Sequence, residues 1–496
     1  MDRSCHSRWR LLKVPLVVEA LAITLLLTLA GCGSGPDLGT RKIDVVIVLV
    51  DTLRADFTEL GGRAGTSPRL AELARESVVF EQAYSAGPWT LPSVASLFTG
   101  GHLVEHGVVH DRLQLAEEAT TLAELLSEAG YFTGSFHSNP YAGERFGMHQ
   151  GFDMLEQREA PTGARHLEGF WTEAGSRPYL LYVHNAEPHD PLRARARFRR
   201  GLDQEFLDEY GRLVTEYRAL TRVDWAARRP VGTTDNTDEQ LRRAARLDEL
   251  APEVHALYEA SVRDADERIG SIVDALRRDG RWDHTLFVVL SDHGEEMGEH
   301  GGWQHDQSVY EELVHVPLLV HLPGSRHAGE RVRTPVSIID LLPTVLHVAG
   351  VSPGALELSG RSLLELLEGE PPARPEPRLV SMRDNHKKYF RPFKEGRGDL
   401  NLVVREGDWK AILNVETAGV ELYDLASDPV EQQDLAAEHP QLAARLGEFA
   451  AASHARLQQR ARQATSGGVL HGDEDVLQSL RDLGYVGDEE PPAGDR

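Results

Sequence analysis

Three apolar runs along the chain, at 45–50, 179–183 and 285–290, are each followed directly by polar residues. Unbroken runs rich in Val, Ile and Leu are typical of parallel strands that are buried on both faces. Because ligands of open α/β sheets bind beyond the carboxyl ends of the strands, we expect the polar residues there to converge. They are Asp51 after the first run, His184 after the second, and Asp292 and His293 after the third.

Helical periodicity occupies the intervals between these runs, at 68–76, 121–129 and 253–278. Strands that alternate with helices predict an α/β fold with a doubly wound, mostly parallel sheet, which we assign to a domain at 43–350. A charge-rich segment at about 192–250 also has helical rather than strand periodicity. We interpret it as a solvated insertion beside the mouth of the binding crevice.

The rest of the chain predicts a second, smaller unit. A helix at 338–349 ends at Gly350, and a connector at 351–378, rich in proline near its end, leads to a C-terminal subdomain at 379–464. The last residues, 465–496, are interpreted as a tail. A small antiparallel sheet is predicted within the subdomain by short alternating segments at 402–405, 409–413 and 420–423.

The N-terminus has the pattern of a secretion signal at 1–31, with a basic start and an apolar stretch too short for a comfortable membrane span. It ends Leu29-Ala30-Gly31-Cys32, which resembles the lipobox of bacterial lipoproteins, whose cysteine is acylated. We therefore expect Cys32 to carry a lipid and 32–42 to form a tether. This predicts a protein anchored in the bacterial cell envelope, at the periplasm, outer membrane or cell surface. The alternative is an ordinary signal peptide with a chance cysteine.

Cysteine content and charge narrow the chemistry of the folded body. The cysteines of the 496-residue chain are Cys5, within the signal, and Cys32. The body therefore has no disulfide, no thiolate metal ligand and no cysteine nucleophile. The net charge of −25 argues against nucleic acid as a partner.

Asp51, Asp292 and His293 combine hard carboxylate ligands with an imidazole, a set that suits a divalent cation. An Asp-His pair alone is more often a polar turn. Thr90 directly precedes Leu91-Pro92, and because proline favours the first turn of a helix, the Thr90 hydroxyl is expected at a helix N-terminus. Such a terminus attracts anionic ester oxygens, although a threonine there is commonly just a cap.

Ordered motifs from about 43 to 435 resemble the sulfatases of the alkaline-phosphatase superfamily. They begin at Val50-Asp51-Thr52-Leu53-Arg54, Pro88-Trp89-Thr90-Leu91-Pro92, Glu187-Pro188-His189-Asp190-Pro191, Ser291-Asp292-His293-Gly294-Glu295, Asp340-Leu341-Leu342-Pro343-Thr344 and Leu422-Tyr423-Asp424-Leu425. The resemblance implies a sulfatase-type catalytic domain with a smaller C-terminal antiparallel subdomain.

The resemblance also implies roles for individual residues. Asp51, Asp292 and His293 would bind one divalent metal ion, whether Ca, Mn, Mg or Zn. Thr90 would be both nucleophile and further ligand, and His189 would donate to the substrate oxyanion. Two further histidines, His184 and His305, are candidates for contacts to the substrate or leaving group.

The chain departs from the sulfatase pattern at several positions. Many sulfatases have a second aspartate where Thr52 stands, an arginine where Val94 stands and a lysine in the region 136–139. At position 90 they carry a cysteine that matures to formylglycine, whereas oxidation of threonine would give a ketone. Formylglycine is therefore not expected here.

The favoured function is that of a metal-dependent hydrolase or transferase in which Thr90 attacks a phosphate ester or phosphodiester. The first alternative is a sulfuric ester hydrolase that works without formylglycine. The second is a non-catalytic protein that binds a glycan or lipid head group. The expected partners are an anionic ester substrate, with a glycan or lipid head group as candidates, and the membrane through the lipid anchor.

Overall fold

Nineteen strands lie within the described residues of a computed structural model, which are 42–111, 113–158, 162–221, 223–224, 229–230, 237–369, 376–384 and 400–461. In chain order they are β1 (Asp44–Val50), β2 (Val78–Phe80), β3 (Ala83–Tyr84), β4 (Phe132–His137), β5 (Met154–Gln157), β6 (Tyr179–Asn185), β7 (Val223–Asp224), β8 (Arg229–Pro230), β9 (Thr285–Leu290), β10 (Glu296–Met297), β11 (Trp303–Gln304), β12 (His315–Val316), β13 (Leu318–His321), β14 (Arg331–Val332), β15 (Val336–Ser337), β16 (Arg378–Asp384), β17 (Leu400–Glu406), β18 (Trp409–Asn414) and β19 (Val420–Asp424).

The same described residues also form α-helices of different lengths. They are α1 (Pro68–Leu73), α2 (Thr90–Thr99), α3 (Leu103–His106), α4 (Leu122–Glu128), α5 (Glu168–Ala174), α6 (Gln204–Thr221), α7 (Thr237–Glu249), α8 (Ala251–Arg278), α9 (Glu311–Val314), α10 (Leu341–Ala349), α11 (Leu363–Glu368) and α12 (Pro440–Ala461). Within the described part of the chain, none of them is both long and apolar enough to span a membrane. The predicted signal, Cys32 and the tail at 465–496 lie outside the described residues.

The central sheet has the strand order β14-β2-β13-β9-β1-β6-β4-β5. Every residue of β1 is buried, as its unbroken Val/Ile/Leu sequence predicts for a strand covered on both faces. Strand β1 pairs in parallel with β6 on one side and β9 on the other, whereas β13 runs antiparallel to β9. The predicted doubly wound, mostly parallel sheet is confirmed. The carboxyl ends of β9, β1 and β6 lie side by side.

Two apolar cores cover the two faces of this sheet. One contains Val45 and Ile47 of β1 and packs against α2 through Leu91, Val94 and Leu97. The other contains the alternate residues of β1 and packs against the buried face of α8. Full burial of each Val or Leu side chain contributes about 1.5–3 kcal/mol, so the paired cores fix the position of the sheet and hence of its carboxyl edge.

The helices predicted between the strands are present. The segment at 68–76 forms α1 and a following 3-10 turn, and 253–278 forms most of α8. Thr121 caps α4 by accepting a hydrogen bond from the Glu124 backbone N–H, which explains where that helix begins. The segment at about 192–250 contains the two helices α6 and α7, in agreement with its periodicity.

Strands β16 to β19 form the C-terminal antiparallel sheet, which confirms the predicted smaller sheet. Gly407 has a φ of 58° in the turn between β17 and β18, a conformation that favours glycine. The sequence prediction missed β16, the helix α11 inside the segment interpreted as a connector, and α12. Leu402 and Leu422 of this sheet belong to the same apolar core as α2, so the sheet packs directly on the larger unit.

Candidate active site

Asp51 lies where β1 ends, fully buried at the carboxyl edge of the central sheet. Its backbone N–H donates to the Asn185 carbonyl at 2.7 Å, which ties the ends of β1 and β6 together. Its carboxylate Oδ2 accepts a hydrogen bond from Asn139 Nδ2 at 2.7 Å and lies 3.2 Å from His184 Nε2. The other oxygen, Oδ1, lies 3.5 Å from His293 Nε2.

Asp292 and His293 follow β9 and reach the same point from the neighbouring strand. Asp292 Oδ1 accepts hydrogen bonds from the backbone N–H groups of His293, at 3.0 Å, and Thr52, at 3.3 Å. Asp292 Oδ2 lies 3.6 Å from His293 Nε2. Because His293 Nδ1 donates to the Gly294 carbonyl at 2.8 Å, we assign the tautomer in which Nε2 offers its lone pair toward the two carboxylates.

The group formed by Asp51, Asp292 and His293 is called open here because two of its carboxylate oxygens accept no hydrogen bond from a described residue. Asp51 Oδ1 and Asp292 Oδ2 are buried and have no hydrogen-bond partner among the described residues. A buried charged oxygen without a partner is costly, and both atoms point toward His293 Nε2. Ligand atoms of Asp51, His184 and Asp292 also lie within 4.8 Å of one another. Two open carboxylates with an unprotonated imidazole nitrogen fit a divalent cation.

The pKa values of the two buried carboxyl groups, Asp51 and Asp292, shift in opposite directions. Burial raises the pKa of Asp51, but the neighbouring imidazoles, His189 first and then His184 through its hydrogen bond, outweigh burial and hold it well below its usual range. Burial, and then the negative charge of Asp51, raise the pKa of Asp292 above its usual range. The two carboxylates therefore repel each other, and a cation between them would stabilise both in the ionised form.

Thr90 is the first residue of α2 and is fully buried. Its Oγ1 lies 3.2 Å from His293 Nε2 and accepts a hydrogen bond from Asn139 Nδ2 at 3.3 Å. Trp89, rather than Thr90, occupies the cap position of the helix, and its side chain forms no cap hydrogen bond. The hydroxyl instead faces the open carboxylate group from the positive end of the helix.

Asn139 was missed by the sequence analysis. It follows β4, and its Oδ1 accepts a hydrogen bond from the Tyr141 backbone N–H at 3.0 Å. That bond turns Nδ2 toward Asp51 and Thr90, so one amide group joins the two. Its signals in the sequence are the turn-forming Asn-Pro pair and its place in the region where many sulfatases carry a lysine.

His184 is the second-last residue of β6, whereas His189 lies in the loop that follows the strand. The fully buried His184 ring lies between Asp51 Oδ2 and the Tyr182 hydroxyl, which is 3.2 Å from its Nδ1. The next loop carries Glu187, whose Oε1 is 2.8 Å from Arg268 Nε of α8. Burial raises the pKa of Glu187 to about 7, against the opposing charge of Arg268. This pair holds the loop that presents His189.

His305 completes a row of three imidazoles. Its ring centroid lies 4.6 Å from that of His293 and 5.2 Å from that of His189. Its Nδ1 is 3.3 Å from a carboxylate oxygen of Glu295, a second residue that the sequence analysis did not single out. The structure thus gathers the candidate catalytic, metal-binding and substrate-binding residues at one edge of the sheet, with His184 next to Asp51, His305 next to His293 and His189 next to His305.

Comparison with known proteins assigns this site to a family. The profile of the Sulfatase family matches residues 43–351, and that of the C-terminal region of N-sulphoglucosamine sulphohydrolase matches 298–458. The chain belongs to the sulfatase family. It is therefore an ester hydrolase of the sulfatase type within the alkaline-phosphatase superfamily, and members of this family are metal-dependent.

This sulfatase-family chain is similar to several named proteins. Choline-sulfatase of Rhizobium meliloti (strain 1021) is 27% identical over 470 residues, covering 81% of this chain and 83% of the relative. Arylsulfatase K of Bos taurus is 25% identical over 448 residues, covering 81% and 80%. The solved phosphonate monoester hydrolase of Agrobacterium radiobacter superposes with a TM-score of 0.60 at 22% identity, covering 85% of this chain and 96% of that one. The last likeness supports the fold alone.

Proposed function

We propose that this sulfatase-family chain cleaves a phosphate ester or phosphodiester, by hydrolysis or transfer, with Thr90 as the nucleophile. The observation that carries the proposal is the position of Thr90 Oγ1, 3.2 Å from His293 Nε2 and at the first residue of α2. In this proposal Asp51, Asp292, His293 and Thr90 hold one divalent metal ion. Ca, Mn, Mg and Zn all suit these ligands.

When bound by these side chains, a divalent cation would supply positive charge that favours ionisation of the Thr90 hydroxyl and neutralises the ester oxygens. Asn139 Nδ2 donates to the Thr90 oxygen at 3.3 Å and so stabilises it as an alkoxide. The positive end of α2 attracts the anionic ester oxygens, and His189 donates a hydrogen bond to one of them.

His305 is the proposed proton donor to the leaving group. Glu295 lies 3.3 Å from Nδ1 and stabilises the protonated ring, whose Nε2–H is then transferred to the departing oxygen. Thr90, whose hydroxyl proton has been lost to solvent, forms the new bond to phosphorus as the bond to the leaving oxygen breaks, which leaves a phosphothreonine. Water, or an acceptor alcohol in a transferase, next gives a proton to the now neutral His305, attacks the same phosphorus and releases Thr90 as the alkoxide.

A phosphate ester is favoured over a sulfate ester as the substrate because of the second step, in which the covalent intermediate on Thr90 is broken down. An ordinary alkoxide that attacks sulfur becomes a sulfate ester with no easy exit, whereas a hydrated formylglycine expels sulfate by itself. Position 90 is threonine, so that exit is absent here. The second candidate is nevertheless a sulfuric ester hydrolase, which the names choline-sulfatase and arylsulfatase K favour.

The deciding experiment compares wild type, Thr90→Ser and Thr90→Ala on aryl sulfate, phosphate monoester, phosphodiester and phosphonate. We expect Thr90→Ala to lose on the order of 10³-fold or more in kcat on the best substrate, and Thr90→Ser to retain part of it. Intact-mass analysis after a rapid quench should show a phosphorylated wild-type chain. Turnover that Thr90→Ala leaves intact would refute the nucleophile, and turnover of aryl sulfate alone would select the second candidate.

A lipid anchor at Cys32 in the bacterial cell envelope remains part of the proposal. Its support is the Leu29-Ala30-Gly31-Cys32 sequence after an apolar stretch. Labelling of cells with a fatty-acid analogue should mark the wild-type chain and not Cys32→Ser. Equal labelling of the two chains would contradict the anchor.

A further inference from the structure

The loop that carries His305 has an unfavourable backbone. The residues on either side of it, Gln304 and Asp306, have φ angles of 76° and 75°, in the left-handed region that non-glycine residues seldom adopt. Such conformations persist only where the surrounding structure over-determines them. The contacts that hold the loop therefore decide where the His305 ring lies.

Two contacts hold Asp306 through its backbone. Its N–H donates to the carbonyl of Pro88, two residues before Thr90, at 3.1 Å. Its carbonyl accepts a hydrogen bond from Arg383 Nε at 2.6 Å. The first contact comes from the segment that leads to Thr90. The second comes from β16, the edge strand of the C-terminal sheet.

Arg383 itself is fixed in place. Its side chain is 1% exposed, and the neighbouring Met382 N–H donates to the Ala86 carbonyl at 2.9 Å. Strand β16 thus binds the segment that leads to Thr90 as well as the loop that carries His305. A guanidinium stays charged at all accessible pH values and its Nε–H has a fixed direction, so it holds a carbonyl more rigidly than a flexible ammonium does.

We propose that Arg383 is a positioning residue for His305, so that the C-terminal sheet contributes to departure of the leaving group. The guanidinium holds the Asp306 carbonyl, the Asp306 N–H is held by Pro88, and the His305 ring is kept beside His293 and Glu295. This inference rests on the proposed role of His305 as proton donor. It predicts that loss of Arg383 weakens protonation of the leaving group without removing the metal ligands.

The test uses aryl esters whose leaving phenols differ in pKa, with wild type, Arg383→Met, Arg383→Lys and His305→Ala. We expect Arg383→Met to lose about 10²-fold in kcat on the poorest leaving group and little on the best, because only poor leaving groups need a proton. The dependence of kcat on the pKa of the leaving phenol should approach in Arg383→Met the dependence seen in His305→Ala, with KM unchanged. Arg383→Lys, which keeps a positively charged donor group, should recover part of the loss.

Arg405→Met is the matched control. Arg405 is equally buried on the adjacent strand β17, but it donates to the carbonyls of Gly407 and Trp409, far from Asp306 in the chain. The Arg405→Met variant should lose stability as Arg383→Met does. Its kcat should keep the wild-type dependence on the pKa of the leaving group. If Arg383→Met also keeps that dependence, the proposal is overturned. A raised KM with an unchanged dependence overturns it as well, since that indicates direct contact with substrate.

A second readout does not need turnover. The rate at which diethylpyrocarbonate modifies His305, followed by peptide mass spectrometry, should rise several-fold in Arg383→Met and stay at the wild-type value in Arg405→Met. Equal rates in wild type and Arg383→Met overturn the positioning role. If wild type turns over none of the esters, the proposed function fails, and the modification rates still decide whether Arg383 positions His305.

Discussion

Two buried groups of charged side chains, one at the edge of the central sheet and one at the C-terminal sheet, show opposite arrangements. Asp51 and Asp292 each bury a carboxylate oxygen that has no hydrogen-bond partner among the described residues. Lys410 instead places its buried ammonium 2.9 Å from Glu311 and 2.8 Å from Glu431. The first group is open and the second is closed.

Burial shifts pKa values in both groups, and in the closed group it raises the pKa of Glu431 to about 7 against the charge of Lys410. Burial lowers the pKa of Lys410, but the charges of Glu311 and Glu431 outweigh it and raise the pKa above its usual range. In the open group, burial and then the negative charge of Asp51 raise the pKa of Asp292, against the opposing effects of His293 and His184. In a closed group each charge has an opposite charge beside it, so removal of one partner is costly, whereas an open group is completed by a ligand.

The largest expected effect comes from removing one charge of the open group. Asp292→Asn should lose bound metal, and a loss of several kcal/mol of charge stabilisation lowers kcat by on the order of 10³-fold. In the presence of chelator its melting temperature should equal or exceed that of wild type, because repulsion from Asp51 is relieved. Metal analysis of the purified protein and thermal melting measure the two effects.

The matched control for this change is Asp340→Asn. Asp340 is also fully buried, but its carboxylate accepts hydrogen bonds from the backbone N–H groups of Ser337 and Arg361, at 2.9 Å each. The control should therefore melt at a lower temperature and keep its metal. Full metal content in Asp292→Asn would contradict the open group as the metal site.

Breaking the closed group should have a smaller effect, and on stability alone. Lys410→Met leaves two glutamates buried without their cation and should cost about 3–5 kcal/mol in the free energy of unfolding, measured by urea denaturation. The folded fraction should bind metal as wild type does. Lys410→Met combined with Glu431→Gln should recover part of the loss, and an unchanged midpoint for Lys410→Met would contradict the closed arrangement.

Local sequence patterns were sufficient for the elements that deliver the open group. Strand β1 and the strand β9 that precedes Asp292 are uninterrupted apolar runs, and strands buried on both faces require that pattern wherever they occur. Convergence of Asp51 with Asp292 then followed from sheet topology alone. The helix α12 also carried a local signal, with buried Ala443, Leu446 and Ala450 at helical spacing, which the sequence analysis passed over.

The residues that complete the site could not be found in this way. Asn139 owes its role to contacts with Asp51, 88 residues away, and Thr90, 49 residues away. Arg383 meets Asp306 across 77 residues. Neither residue belongs to a pattern with a period, because the contacts depend on how separate loops pack after the sheet has formed.

The smallest expected effect concerns the backbone conformation of Thr52, the residue that follows Asp51 of the open group. This buried residue has a φ of 57°, unfavourable for a β-branched side chain, and its hydroxyl has no hydrogen-bond partner in the described part of the chain. Thr52→Gly removes both penalties, loses a methyl contact and gains chain entropy in the unfolded state, for a net stabilisation of about 1 kcal/mol. The backbone bond from residue 52 to Asp292 is kept, so metal affinity should not change.

Thr58→Gly is the matched control for this last change. Thr58 is equally buried, but it has an ordinary φ of −110°, and its hydroxyl donates to the Ala55 carbonyl at 2.8 Å. Its replacement should destabilise the protein by about 1–3 kcal/mol, because a satisfied buried residue loses both its bond and its packing. If Thr52→Gly destabilises the chain by the same amount in urea denaturation, then the strain at residue 52 is not a cost that the open group imposes on the fold.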